Sequence, residues 1–151
     1  QVVGDLLGAA VRAQGCFGSW QHIPRRDRTR LGRSAHALGG GCVLGSRYWD
    51  RQTTLQLRIG PLDRKRFQTL LPSGALLADV VELTRFLTGL ALDLRIKLAL
   101  RADQVPRIAL GARGDDAPRL GWNTWLGGRR SPAPADEVEF RFSAMGGESW
   151  L

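Results

Sequence analysis

The sequence predicts an α+β domain with a small, largely antiparallel sheet and two helices, flanked by long loops rich in glycine and arginine. Two segments, residues 53–59 and 92–101, alternate between apolar and other residues, which is typical of strands with one buried face. Both predicted helices lie between these segments and further strands follow, so helices and strands are grouped along the chain rather than alternating. With 151 residues, of which 43% are hydrophobic, the chain is long enough to bury its own core.

The N-terminal third shows little regular pattern. Residues 1–14 mix small apolar residues with glycine and could begin either a short helix or a strand. Residues 15–47 have few periodic apolar residues and contain the run Gly39-Gly40-Gly41, which is typical of a loop that is mobile or rests on a partner. The chain begins at Gln1 without a signal-peptide pattern, so we expect it to start inside a longer protein.

The first regular strand and helix follow this segment. Thr53–Ile59 places three apolar residues on one face, and Gly60-Pro61 is expected to end the strand. A helix is predicted over about residues 64–71, with Asp63 as its N-cap. Pro72 should end this helix, because the residue before a proline avoids helical geometry.

A second helix is predicted over about residues 75–88. Ser73 is its expected N-cap and Gly89 its expected end. Apolar residues recur at spacings of three and four, which indicates one buried stripe in a domain core. The residues of this stripe are Leu76, Val80, Leu83, Leu87 and Leu90.

The clearest strand is Leu92–Arg101, which has one apolar face and one wet or partner-facing face. Shorter strands are predicted at residues 107–110, 120–126 and 138–142, with an exposed linker over residues 129–135. We therefore divide the chain into an irregular, partner-contacting segment (1–47), an α+β body (48–142) and a tail (143–151).

The net charge of +8 comes mostly from arginine, since only Lys65 and Lys97 among the 22 basic residues are lysines. Arginine forks bind carboxylates and phosphates. The competing explanation is a genome that favours arginine codons. A nucleic-acid-binding protein would concentrate this charge, yet most of the arginines are scattered, so a basic nucleic-acid-binding module is kept as an alternative function. The candidate partner-binding arginines are Arg25, Arg26, Arg28 and Arg30.

The sequence does not favour an enzyme or a cofactor. His22 and His36 are the only histidines, there is no Gly-x-Ser-x-Gly elbow, and no carboxylate pair stands out as a general acid and base. Cys16 and Cys42 could join the two histidines in a tetrahedral zinc site. Their wide spacing makes such a site costly to close, so a zinc-stapled binding domain is a second alternative.

Three tryptophans are candidates for partner binding. Trp122 and Trp125 lie three residues apart in a predicted strand, so their side chains should point to opposite faces. Trp49 lies just before the first regular strand. Core packing is the favoured interpretation for each, and an interface anchor is the alternative, since Trp and Arg are enriched in binding hot spots.

Several motifs, in the same order, resemble the TssG (ImpH/VasB) family of type VI secretion baseplate subunits. Leu44–Gln52 is similar to the family's LG-x-x-VWDRQ segment, with Tyr48 in place of valine. The remaining matches are Phe17–Pro24, Leu57–Leu62, Phe67–Gly74, Leu92–Pro106 and Leu120–Gly127. The resemblance covers roughly the C-terminal half of the family, and the two cysteines and two histidines are not part of its pattern.

The resemblance implies a structural, non-enzymatic role without a cofactor. Family members join two TssF copies in a baseplate wedge and contact TssK trimers, with TssE nearby. The resemblance also implies a cytoplasmic location, docked at the inner-membrane complex. No apolar run reaches the roughly 18 residues that a membrane helix needs, so we expect no direct membrane insertion.

Overall fold

A computed structural model describes most of the chain. The described residues are 2–33, 37, 39–89, 91–108, 111–112, 114, 117–126, 132–144 and, by backbone, 148–149. Within them the helices are α1 (Val2–Leu7), α2 (Arg64–Thr69) and α3 (Leu76–Thr88), and a 3₁₀ turn spans Ala102–Gln104. The strands are β1 (Val11–Gln14), β2 (Ser19–His22), β3 (Arg47–Asp50), β4 (Thr54–Leu62), β5 (Asp93–Leu100), β6 (Ala135–Phe142) and β7 (Glu148–Ser149).

The described strands form two sheets. Five of them make the main sheet in the order β1-β4-β5-β6-β7, and β2 pairs with β3 in a separate two-stranded sheet. Only the central pair, β4 and β5, is parallel, and α2 and α3 supply the crossover that a parallel pair requires. The predicted α+β class with a largely antiparallel sheet is confirmed.

The core lies between one face of the main sheet and the helices. The inward side chains of the three long strands are almost fully buried, as the alternating pattern predicts. Phe67 from α2 and Val80 from α3 cover them. None of the helices in the described part of the chain has the length and apolarity needed to cross a bilayer.

The predicted start of α2 is confirmed, whereas the predicted end of β4 is wrong. Asp63 caps α2, because its carboxylate accepts the backbone N–H of Arg66 at 2.8 Å. β4 does not stop at Gly60-Pro61 but continues to Leu62. The pairing register with β5 shifts between Ile59 and Leu62, and this bulge accommodates a proline that cannot donate to the ladder.

Helix α3 ends at Gly89 as predicted, but its buried stripe is rotated from the predicted one. The buried residues are Leu77, Val80, Val81 and Thr84, whereas Leu87 is exposed and Leu90 lies outside the described residues. Thr84 can face the core because its hydroxyl donates to the carbonyl of Val80 at 2.6 Å. The N-cap is Ala75 without a side-chain bond, so the predicted cap at Ser73 is wrong.

Predictions for the C-terminal third were less accurate. Arg107 and Ile108 are not in a strand, and residues 109–110 lie outside the described part. The exposed linker was predicted to reach residue 135, but Ala135 is fully buried at the start of β6; residues 129–131 are not described. The predicted last strand is confirmed as β6, and the predicted tail contains β7, which pairs with β6.

The predicted strand at residues 120–126 is a series of turns. The backbone N–H groups of Trp122 and Asn123 both donate to the carbonyl of Arg119, at 3.1 and 3.2 Å. The Asn123 side chain in turn accepts the N–H of Arg119 at 2.7 Å. Asparagine side chains form such local bonds readily, and here they replace the inter-strand ladder.

Candidate interaction surface

The second sheet belongs to a segment that we call the arm, residues 19–50, which consists of β2, β3 and their long connection. Predicted as irregular, the segment contains an antiparallel hairpin that pairs Trp20 with Trp49 and His22 with Arg47. A bond from the N–H of Ile23 to the carbonyl of Ser46, at 2.9 Å, extends the pairing by one step. Thr29 closes the connection further out, since its hydroxyl bonds to both the carbonyl and the N–H of Val43, at 3.0 and 3.1 Å.

The arm exposes a tryptophan pair. Trp20 and Trp49 are 63% and 53% exposed, and their ring centroids lie 5.3 Å apart with the planes at 69°. The backbone of Gly18 leaves room for the Trp49 ring, which a Cβ at that position would overlap. Trp49 is therefore not a core residue, and the interface interpretation fits its exposure better.

Trp20 was not among the residues predicted to bind a partner. Its significance depends on pairing with a strand that lies far away in sequence, and the glycine-rich connection hides that pairing. The alternating pattern that identifies longer strands is too short in β2, which has only four residues.

Polar contacts hold the inner side of the arm against the body. The hydroxyls of Ser19 and Thr54 are 2.8 Å apart, and Gln21 donates to the carboxylate of Asp93 at 2.8 Å. Just before β2, the ring of Phe17 lies under the guanidinium of Arg95, 4.5 Å from its centroid. These contacts fix the inner face, so the tryptophan pair faces outward.

The four candidate arginines do not share one role. The Nε of Arg28 donates to the carbonyl of Ile23 at 2.9 Å, so this half-buried side chain holds the local turn. Arg25, Arg26 and Arg30 are exposed. Arg26 lies 3.5 Å from Asp27, an exposed ion pair of the kind that contributes about 1 kcal/mol or less.

The alternative zinc set is not assembled in the described part of the chain. Cys16, His22 and Cys42 are not gathered with one another, since no three His, Cys, Asp or Glu side chains in the described ranges form a possible metal site. His36 lies outside those ranges. Cys42 instead lies beside Thr29, whose hydroxyl is 3.6 Å from its sulfur.

Trp122 and Trp125 do not point to opposite faces, because they lie in turns rather than in a strand. Both are partly buried against the core. The Trp122 ring meets Phe140 edge-on with centroids 6.2 Å apart, and the Trp125 ring lies 5.9 Å from that of Phe67. Core packing is therefore the interpretation that fits both tryptophans, and they are poor candidates for partner anchors.

The face of the main sheet opposite the helices carries charged side chains that largely pair with each other. Asp136 lies 3.1 Å from Arg58 and 3.4 Å from Lys97. Glu139 lies 3.3 Å from Arg95 and 3.0 Å from Arg141. Burial lowers the pKa of Arg95, although Glu139 opposes the shift. The predicted wet face of β5 is thus an ion-pair network, partly shielded by Phe17.

Asp50 ends the arm with a hydrogen-bonded turn. Its carboxylate accepts the hydroxyl of Thr53 and the N–H groups of Gln52 and Thr53, both at 3.1 Å. The Thr53 hydroxyl, followed by the Gln52 N–H, lowers the pKa of Asp50 from its ordinary value of 3.8.

We expect Asp50→Asn to destabilise the chain at neutral pH and to flatten its acid dependence. Because folding lowers the pKa of Asp50, its contribution is present above about pH 4 and is lost as the pH falls toward the folded-state value. Urea unfolding at pH 7, 5 and 3 measures this, with Thr53→Val as a second variant that removes only the hydroxyl bond. Parallel pH profiles for the native chain and Asp50→Asn would contradict the expectation.

Comparison with known proteins agrees with the fold described above. The family described as type VI secretion, TssG, matches residues 1–127 of the chain. No curated protein matches it. A chain in the cryo-electron microscopy structure of the type VI secretion system TssK-TssF-TssG baseplate subcomplex superposes with a TM-score of 0.67 at 20% identity. The alignment covers 91% of this chain and 59% of the other, so this chain spans about three fifths of that relative's length.

Proposed function

Because this chain belongs to the TssG family of type VI secretion, we propose that it is a structural subunit of the secretion baseplate that joins TssF-like and TssK-like neighbours. The fold it shares with a chain of a TssK-TssF-TssG baseplate subcomplex supports this role. We also propose that the chain performs no catalysis. In this role it bridges two TssF-like copies to TssK-like trimers near TssE, and it works on the cytoplasmic side of the inner membrane.

The observation that carries the proposal is the composition of the arm. Residues 19–50 contain six arginines and two aspartates, a net charge of +4 out of +8 for the whole chain. This segment also exposes the tryptophan pair. Exposed Trp and Arg concentrated in one segment are typical of a protein-binding surface.

Co-purification tests the proposed function directly. The chain is co-expressed with the TssF-like and TssK-like proteins of its own secretion system, and each complex is isolated by a tag on the partner. We expect this chain to co-elute with both partners. A chain that is well folded by circular dichroism but binds neither partner would overturn the proposal.

Reversing two exposed charges on the arm should weaken partner binding about tenfold, mainly by slowing association. The variant is Arg25→Glu with Arg26→Glu, and it leaves the turn-forming Arg28 intact. Binding is measured by interferometry at low and at physiological salt, where screening should reduce the difference.

The matched control reverses two exposed charges outside the arm, Lys65→Glu with Arg107→Glu. Both double variants change the net charge equally, so only the position of the change differs. Equal losses of affinity in the two variants would show that overall charge, and not the arm, controls binding.

A further inference from the structure

We infer, on the basis of the proposed function, that the outer face of the arm docks an acidic segment of a neighbouring protein subunit that also carries an apolar side chain. We define the outer face as Trp20, His22, Arg47 and Trp49. The tryptophans act as the apolar anchors, and Arg47 beside them selects for negative charge.

Strand geometry places these four side chains together. Residues directly opposite each other in an antiparallel pair project from the same face, as do residues two apart along a strand. The Trp20–Trp49 and His22–Arg47 pairs therefore share one face. Ser19 and Gln21 project from the other face, where they bond to Thr54 and Asp93 of the body.

The tryptophan pair is a large apolar surface left in contact with water. Each ring offers roughly 150–250 Å² for burial, and monomeric proteins rarely leave such contiguous patches open without a role in binding. The two rings already contact each other edge-to-face, yet each keeps more than half of its surface exposed. A partner side chain packed against the pair would remove this surface from water.

The charge around the pair selects an acidic partner. The two aspartates of the arm are both engaged locally, since Asp27 lies next to Arg26 and Asp50 is bound into its own turn. Neither offsets Arg47, which lies on the outer face beside the tryptophans. A carboxylate on a docking segment would therefore meet the guanidinium of Arg47, which it can bind through charge-assisted hydrogen bonds.

The ring geometry favours a protein over a nucleic acid. Single-stranded nucleic acids bind by stacking successive bases on open aromatic faces. In the 69° arrangement the edge of one ring covers part of the face of the other, so the pair does not offer two parallel platforms. The exposed parts of the two rings are instead suited to packing against an apolar side chain.

The outer face is also held rigid before any partner arrives. Ser19 and Gln21 are bonded to the body, and the Phe17 ring lies against Arg95. A surface that is already ordered loses little conformational freedom on binding, so more of the contact energy appears as affinity.

The test compares single alanine variants of the two tryptophans. We expect Trp20→Ala and Trp49→Ala each to weaken the binding of one partner, TssF-like or TssK-like, at least tenfold, as for hot-spot residues. The control is Phe86→Ala, which removes an exposed aromatic ring outside the arm and should change affinity less than twofold. Unfolding curves establish that each variant is folded.

The outcomes separate this inference from the proposed function. Binding of neither partner by the native chain would overturn both. Native binding with tryptophan variants that bind equally well overturns only the docking surface. Hydroxyl-radical footprinting of the native complex gives a test without substitution: Trp20 and Trp49 must become protected, and unchanged oxidation of both rings overturns the inference.

A nucleic-acid-binding assay completes the test. A labelled single-stranded 20-mer, as DNA and as RNA, is titrated at 50 and 200 mM salt. We expect weak binding that the tryptophan variants do not alter. Tight binding that falls steeply with salt and is lost in Trp20→Ala would assign the outer face to nucleic acid and overturn the inference.

Discussion

Replacing Gly60 with alanine is expected to destabilise the fold by about 3 kcal/mol. Gly60 lies inside β4 with φ of +125°, a conformation that side-chain-bearing residues rarely adopt. A Cβ there would also overlap the carbonyl oxygen of Ala99 in β5 and lie 3.0 Å from the backbone nitrogen of Leu62. Both neighbours are backbone atoms of the central strands, so relieving the overlap requires the sheet to shift.

Gly89→Ala is the matched control for this prediction. Gly89 also has a positive φ, +83°, but a Cβ there would have no neighbour within 4 Å. Its cost should be about 1 kcal/mol, from backbone conformation alone. Chemical unfolding followed by circular dichroism measures both. If the two variants lost equal stability, the close approach between β4 and β5 would not contribute to the cost of the Gly60 substitution.

Phe140→Ala should cost about 3–5 kcal/mol. The side chain is 1% exposed on β6, opposite Ile96 of β5, and the Trp122 ring packs edge-on against it. Truncation removes the transfer energy of the ring and leaves a cavity in a rigid part of the core. Since domains of this size are stable by only about 5–15 kcal/mol, the variant should unfold well below the melting temperature of the native chain.

Phe86→Ala changes the same side chain at a position that is 85% exposed on α3. Its effect on stability should stay within about 0.5 kcal/mol. Thermal unfolding of Phe140→Ala and Phe86→Ala, measured side by side, compares the loss of a buried ring with the loss of an exposed one. A similar loss in both would mean that the core does not lie where the strands and helices place it.

The elements that the sequence predicted best are those whose signal is local. The long strands β4, β5 and β6 show alternation because each buries one face, and a period of two is visible without knowing the partner strand. The cap at Asp63 is equally local, since it depends on an N–H three residues away. The family resemblance is confirmed by the match over residues 1–127.

The features that the sequence did not reveal depend on distant contacts. The hairpin of β2 and β3 forms across a long connection, so Trp20 gave no sign of pairing with Trp49. In α3, Leu87 fits the periodic stripe, but the sheet meets the helix around Leu77 and Val81, and it leaves Leu87 outside. The Trp122–Trp125 segment resembles a strand in composition, yet the bond between the Asn123 side chain and the N–H of Arg119 holds it in a turn.

The role of the four arginines was only partly visible in advance. All four have the same side chain, so the sequence alone offered no reason to predict different functions for them. The difference between Arg28, bonded to the Ile23 carbonyl, and the exposed Arg25 and Arg26 arises from the path of the connection. Their proposed contacts with partners stay predictions until the charge-reversal experiment is done.

One carboxylate couples the arm mechanically to the rest of the molecule, in addition to the Ser19–Thr54 bond and the chain itself. Asp93 accepts from the Gln21 side chain with one oxygen and from the N–H of Ala144 with the other, at 2.8 and 2.9 Å. It begins β5, the middle strand of the main sheet. Part of a load on the arm would thus pass to the middle strand, which has a neighbouring strand on each side. In the proposed role in a contractile machine, the Gln21–Asp93 bond would share the load with the edge strand β1, which precedes the arm in the chain.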